Sequence, residues 1–445
     1  MDFNQKKIAI DCGLLQGTRD MEEKNFEPFK YNPAEIDFLL ITHAHMDHIG
    51  KVPKLVKDGF KGHIISTQET MELASPMLED AFKVMQSKHP DKTLFDEEDI
   101  IKTFSLWEGR NYREKIELFP DCFLEMQDAG HILGSAICNV SCGPIKIAFT
   151  GDLGNSPSPL LPDTEFPQNA DYMVMESVYG DRNHESKTER REKLKQYISE
   201  GIKKDGTIVI PTFSIERTQV LLYEINNMIE DKEIPQIPVF LDSPLAEKVT
   251  DIYKKYTKDF KESVKEEIKE GDDIFNFPGL RIIKNAQESE EIENIKGAKI
   301  ILSGSGMSEG GRIVNHEIHY LPDPSATIIL VGYQAVGTLG RLIQDGVKEV
   351  FINKEKSHFA SPSSRATRDK LKVRATIENI EGYSSHKDSE HLLEFVEKTN
   401  ESKKLTKVFV IMGEPKSSLF LTQRIRDYLD IDAVYPEENK EYELV

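Results

Sequence analysis

Long apolar runs are the first thing this 445-residue chain lacks. No stretch approaches the ~18 consecutive apolar residues of a transmembrane helix, which excludes a helical membrane span. The N-terminus, MDFNQKKIAIDCG, has no apolar core ahead of a small-residue cleavage site, which argues against export by a signal peptide. Basic charge is short as well. The 57 Lys and Arg face 77 Asp and Glu, a formal net charge of −20. This excludes a globally basic nucleic-acid coat and argues against tight non-specific binding to phosphate backbones. It leaves room for a local basic groove. Cysteine is scarce too. Cys12, Cys122, Cys138 and Cys142 are too few and too scattered for a disulfide framework, and they form no pair of CxxC motifs for a zinc knuckle. All four read as reduced thiols of a cytoplasmic protein. Internal repeats and low-complexity tracts are absent.

What is present is an ordinary globular composition, 38% hydrophobic and 30% charged, at a length that suits two or three domains. In the first third, short β-type runs end again and again in an acid or a histidine. KKIAIDCG ends at Asp11, IDFLLITHAH in a histidine cluster, FLEMQDAGH at His131, IKIAFTGD at Asp152 and YMVMES at Glu176. Strand ends converging on one sheet edge are where α/β proteins build their sites. Helical patterns alternate with these runs, after the histidines and over 68–87. From 186–205, a charged amphipathic helix, the rhythm changes. TIVIPTF, IPVFLD, AKIILSGSG and ATIILVGYQ are apolar strands separated by helical stretches, the pattern of a parallel α/β sheet. The stretch 258–273 reads as a solvated, charge-rich helix. The C-terminal part returns to strand–helix alternation through RATIENIEGYSSH, HLLEFVEK, TKVFVIMGE and FLTQRIRDYL.

The densest chemistry is His43-Ala-His45-Met-Asp47-His48. Neutral imidazole and carboxylate suit Zn²⁺. Residues two apart at a strand end face the same way, so His43 and His45 can grip one ion. Asp47 and His48, opening the next helix, point to a neighbouring one. His131 could complete the first site, and Asp152 could bridge both as a carboxylate. Two ions ~3.5–4 Å apart activate a water and clamp a phosphoryl or acyl oxygen.

The motif HAHMDH, with Asp11 before it and AGHILGS and TGDLG after it, resembles the metallo-β-lactamase superfamily. MESVYGDR, PTFSIERTQ, VFLDSPLA, SGSGMSEGGR, VGYQAVGTLGR and GYSSH resemble one branch, the β-CASP RNA nucleases, across nearly the whole chain. The resemblance implies an α/β fold: a metallo-β-lactamase αββα sandwich from 1–185 and 376–445, with an α/β β-CASP domain inserted at 186–375 and the site in the cleft between them. It implies two Zn²⁺, one on His43, His45 and His131, the other on Asp47 and His48, with Asp152 bridging and Asp11 ordering the histidine loop. Glu176 matches the family's first acidic motif. His386 matches the histidine that protonates the leaving oxygen, and Glu176 keeps that imidazole charged. The Gly-rich loops at 304–311 and 337–340 imply phosphate contacts from Ser305, Gly306, Arg312, Gly337 and Arg341.

Two departures stand out. Where the family has a histidine before Gly-Glu, VFVIMGEP has Met412, a soft and weak partner for Zn²⁺. The second metal site is therefore expected to be weaker. The chain also begins almost directly on KKIAIDCG, so the family's opening strand is expected to be missing. The function implied is a zinc-dependent ribonuclease that attacks a phosphodiester of single-stranded RNA with metal-activated water. The alternatives are a catalytically impaired scaffold in an RNA-processing complex, a small-molecule metallo-hydrolase, and a DNA nuclease. The partner expected is RNA, with no membrane. A homodimer follows from the resemblance alone.

Overall fold

The computed structural model describes residues 1–16, 19–89, 91–353 and 368–445. The chain divides into two compact units, Met1–Asn183 with Ser385–Val445, and His184–Ser384. An insertion is expected at 186–375; the second unit spans 184–384. The strand Thr376–Ile380 pairs in parallel with Thr327–Val331, so its backbone belongs to the second unit's sheet. Among the described residues no helix is long and apolar enough to cross a membrane.

The first unit is built on two sheets. One has five strands in the order Asp2–Phe3, Lys6–Ile10, Phe38–Leu40, His63–Thr67 and Trp107–Arg110. The last four run parallel. Ahead of KKIAI the chain turns back at Asn4 and Gln5, both with positive φ, so a two-residue strand edges the sheet. The second sheet has seven strands, in the order Asp432–Val434, Lys407–Ile411, Tyr172–Glu176, Ile145–Phe149, Ala136–Cys142, Cys122–Asp128 and Ile116–Phe119. Apolar alternation decides which faces meet. Ile8, Leu40 and Ile65 of one sheet pack against Leu124, Met126 and Val140 of the other. Leu392, Phe395, Leu421 and Ile425, from the helices Ser389–Thr399 and Pro415–Leu429, cover Met173, Met175, Val408 and Val410 on the opposite face. The parallel pair Tyr172–Glu176 and Lys407–Ile411 brings the two ends of the chain together in one sheet, with Glu176 opposite Ile411.

Cysteine chemistry departs from the expectation. Cys122 and Cys142 form a disulfide, with Cα atoms 4.1 Å apart, while Cys12 and Cys138 are free and buried. The two bonded residues are direct partners across an antiparallel strand pair, which brings their Cβ atoms within bridging reach. The cysteines therefore do not support a reducing compartment.

The second unit is a six-stranded parallel sheet in the order Leu280–Ile282, Val239–Asp242, Lys299–Ser303, Thr207–Pro211, Thr327–Val331 and Thr376–Ile380. Its central strands are buried end to end, as parallel strands covered by helices must be. Ser186 caps the helix Lys187–Lys203 through the Glu189 N–H.

Glu317 is a buried acid of this unit whose charge the fold does not compensate. It is fully buried, with one carboxyl oxygen bonded to the Ser308 hydroxyl and the other without a partner. Burial pushes its pKa up to about 8. The folded chain therefore holds this proton well above the pH at which the unfolded chain loses it. Between pH ~4.5 and ~8, folding takes up a proton, and stability falls as pH rises. Glu317→Gln removes that slope. At pH 8.5 the variant is expected to exceed the parent by a few kcal/mol, with about 4 as the order of magnitude. At pH 5 the two are expected to agree within about 1 kcal/mol. Denaturant unfolding at the two pH values checks this, and equal differences at both would contradict it.

Candidate metal centre

The five-stranded sheet delivers its ligands from one edge. The chain leaves Phe38–Leu40 and runs through Thr42, His43 and His45 into the short helix Met46–Ile49, which carries Asp47 and His48. The turn is very tight. Gly13 passes so close beneath it that a Cβ would sit 1.5 Å from the Asp47 carbonyl oxygen. Asp11, in the left-handed region at φ 57°, braces the turn. It accepts hydrogen bonds from the Thr42 N–H and Oγ1–H, each 2.8 Å, and from His48 Nδ1 at 2.7 Å. His131 and Asp152 follow strands of the second sheet, and His386 follows the return from the second unit.

These bonds settle which ring nitrogens face inward. Thr42 Oγ1 gives its proton to Asp11, so it accepts one from His43 Nδ1 at 3.0 Å. His131 Nδ1 donates to the Ser385 carbonyl at 3.2 Å. The other nitrogen of the His43 and His131 rings then faces the centre as an acceptor, and His48, with Nδ1 on Asp11, turns its Nε2 toward the same point. His43 Nε2 lies 3.0 Å from His45 Nδ1, and His131 Nε2 lies 3.2 Å from the same atom. Asp152 Oδ2 is 3.4 Å from His43 Nε2, 3.6 Å from His131 Nε2 and 3.4 Å from His48 Nε2. Ligands about 2.0–2.1 Å from one tetrahedral ion stand roughly 3.3 Å apart, which is the spacing found.

His43, His45, His131 and Asp152 form one such group, and Asp47, His48 and Asp152 a second, sharing Asp152. His48 Nε2 and Asp152 Oδ1 are buried without a hydrogen-bond partner. The residues present therefore fit a divalent metal. Burial, with the neighbouring imidazoles, holds His45 and His131 well below the usual histidine pKa, in the neutral form that ligates. Burial works against charge on His48 too, but Asp152, Asp11 and Asp47 outweigh it and hold its pKa well above the usual value.

His386 Nδ1 lies 3.3 Å from both Glu176 oxygens and 3.9 Å from Asp152 Oδ2. Burial opposes its charge, but Glu176 and Asp152 raise its pKa to about 9. Glu176 is itself fixed by the Leu153 N–H at 2.6 Å. Three contributors escaped the sequence reading: Thr42, the Ser385 carbonyl and Lys387. Lys387 is buried, and its Nζ donates to the Gly154 carbonyl at 2.8 Å, so it ties the loop after Asp152 to the segment bearing His386. A hydroxyl or an amine beside a ligand in sequence carries no signal of its own; only the register of the fold gives these groups their roles.

Met412 follows Lys407–Ile411 at φ 58° and is 42% exposed. A thioether adds nothing comparable to an imidazole at the second group. Zinc titration is expected to give one tight site and one at least about tenfold weaker, and Met412→His is expected to narrow the gap. Two equally tight sites in the parent would contradict this.

Ser305, Gly306, Arg312, Gly337 and Arg341 all lie in the second unit. Arg312 is buried and its guanidinium is committed. It donates to Asp242 at 2.7 Å and to the carbonyls of Ile283 and Lys284 at 3.1 and 3.3 Å. The same Asp242 accepts from His316 at 2.7 Å. Arg341 pairs with Asp345 at 3.0 Å. The two Gly-rich loops are stitched together by Gln334 Nε2 to the Gly306 carbonyl at 3.0 Å and by the Gly340 N–H to the Met307 carbonyl at 3.3 Å.

A two-sheet α/β unit with histidines and aspartates at its sheet edges, interrupted by a parallel α/β insertion, defines a metallo-β-lactamase-type hydrolase of the β-CASP branch. The chain belongs to that family. Residues 4–197 match the metallo-beta-lactamase superfamily, 218–343 the Beta-Casp domain, and 370–436 the Zn-dependent metallo-hydrolase RNA specificity domain. It is 32% identical to "Ribonuclease TTHA0252" of Thermus thermophilus over 88% of this chain and 85% of that one. It is 28% identical to "Transcription termination factor FttA" of Methanosarcina mazei over 96% of this chain, and 32% identical to the Pyrococcus abyssi factor of the same name over 95%. The chain spans 66% and 65% of those two archaeal proteins.

Proposed function

We propose that this chain is a zinc-dependent ribonuclease that hydrolyses phosphodiester bonds of single-stranded RNA. One observation carries the reading: imidazole lone pairs converge on Asp152 with ligand spacing, in a chain similar to a ribonuclease over 88% of its length. In this reading His43, His45 and His131 hold one ion, Asp47 and His48 hold a second, and Asp152 is shared. Bound metal supplies a nucleophile at neutral pH and stabilises charge on the phosphoryl oxygens.

The protein's own groups do the rest. Thr42 fixes the tautomer of His43, and Asp11 holds His48 through Nδ1 so that its Nε2 points inward, where a bound metal would take the place of the Nε2 proton. Glu176 orients His386 and keeps it protonated, and His386 gives that proton to the leaving oxygen of the ribose. Backbone N–H groups of the loops bearing Ser305, Gly306 and Gly337, together with Arg341, meet substrate phosphates. Arg312 braces the first of these loops through Asp242.

A second reading, an impaired RNA-binding scaffold, is favoured by Met412 alone. End-labelled single-stranded RNA, incubated with the parent or Asp47→Ala in the presence of Zn²⁺ or Mn²⁺, separates the two. Cleavage by the parent only supports the nuclease. Binding without cleavage by either protein supports the scaffold and overturns the nuclease.

A further inference from the structure

We propose that the ladder Phe420–Arg424–Tyr428, on the exposed face of the helix Pro415–Leu429, is a stacking track for the bases of single-stranded RNA; this rests on the reading that RNA is the substrate. The helix turns Ser417, Ser418, Leu421, Thr422 and Ile425 inward. The opposite face leaves Phe420 48% and Tyr428 72% exposed. Residues four apart stack along one side of a helix, so the ring, cation and ring form a strip about 12 Å long. The Arg424 guanidinium lies 6.0 Å from the Phe420 ring centroid and 5.7 Å from that of Tyr428.

The cation is held in place. It donates to the Ser389 hydroxyl at 2.7 Å and to Glu390 at 2.9 Å. Ser389 stands three residues beyond His386, and its N–H donates to the Arg182 carbonyl at 3.0 Å. The ladder is thus tied to the segment that carries the proposed proton donor. Exposed rings at these positions contribute little to packing. Exposed rings spaced along one face are what sequence-tolerant recognition of a single strand uses: each ring meets a base face, and Arg424, held by Ser389 and Glu390, keeps the two rings apart and in line. On the same helix Lys416 pairs with Asp181 at 3.0 Å and Arg426 stands 4.0 Å from Asp432. The ladder also falls inside the segment 370–436 that matches the RNA specificity domain.

The test compares the parent with a Phe420→Ala/Tyr428→Ala double variant. Both are placed in the Asp47→Ala background for binding to a fluorescein-labelled, unstructured 20-nucleotide RNA, and in the native background for cleavage. Binding is expected to weaken by at least about tenfold, with the loss in cleavage falling on KM, and Trp at both positions is expected to restore it. Unchanged RNA affinity would overturn the proposal, as would unchanged affinity with a shift in oligomeric state on sedimentation, which would make the strip a protein interface. A parent that neither binds nor cleaves RNA would overturn the ribonuclease reading and this one with it. A parent that binds as tightly as the double variant would overturn this one alone.

Discussion

Asp152→Ala is expected to lower RNA cleavage by about a thousandfold or more while leaving the fold intact. Its Oδ2 is 3.4 Å from both His43 and His48 and 3.6 Å from His131, so it is the one carboxylate common to both ligand groups. A metal contributes several kcal/mol of charge stabilisation in such chemistry, and each 1.36 kcal/mol is tenfold in rate. Losing the shared ligand weakens both ions together, so the loss should exceed that of any single histidine variant. Metal content per chain, read beside the cleavage rate, is expected to fall in parallel. A variant that keeps its metal and cleaves within tenfold of the parent would contradict the shared role.

His386→Ala is expected to cost between about a hundredfold and ten-thousandfold in kcat, the range for loss of a positioned general acid. Metal content is expected to change little, because the ring is not one of the His43–His45–His131–Asp152 or Asp47–His48–Asp152 ligands, although it stands with Glu176 and Asp152 in a third cluster of possible ligands. The choice of substrate separates this role from a structural one. An aryl phosphodiester has a leaving group that departs without a proton, so the deficit on it should shrink to less than about tenfold. An equal deficit on RNA and on the aryl ester would remove His386 from the proton-donating role.

Much of this centre was legible because its signals are local. His43, His45, Asp47 and His48 fall within six residues, and Asp152 and Glu176 each close a recognisable strand. What the sequence hid depends on register between distant segments. The Cys122–Cys142 bond requires knowing that these residues face each other across a hairpin. Arg312 looked like a phosphate ligand beside a Gly-rich loop, but its partner Asp242 lies 70 residues earlier at the end of a neighbouring strand. RATIENI reads as a strand from its own pattern, yet which sheet it joins is decided by Thr327–Val331. Phe420 and Tyr428 passed as ordinary helix residues, because spacing alone does not say which face is inward.

The most direct measurement strips the purified chain with a chelator and returns Zn²⁺ stepwise, reading bound metal per chain and cleavage of end-labelled single-stranded RNA in the same samples. No cleavage is expected without metal, and cleavage is expected to rise as the second, weaker site fills. Intact RNA with both sites occupied would contradict this.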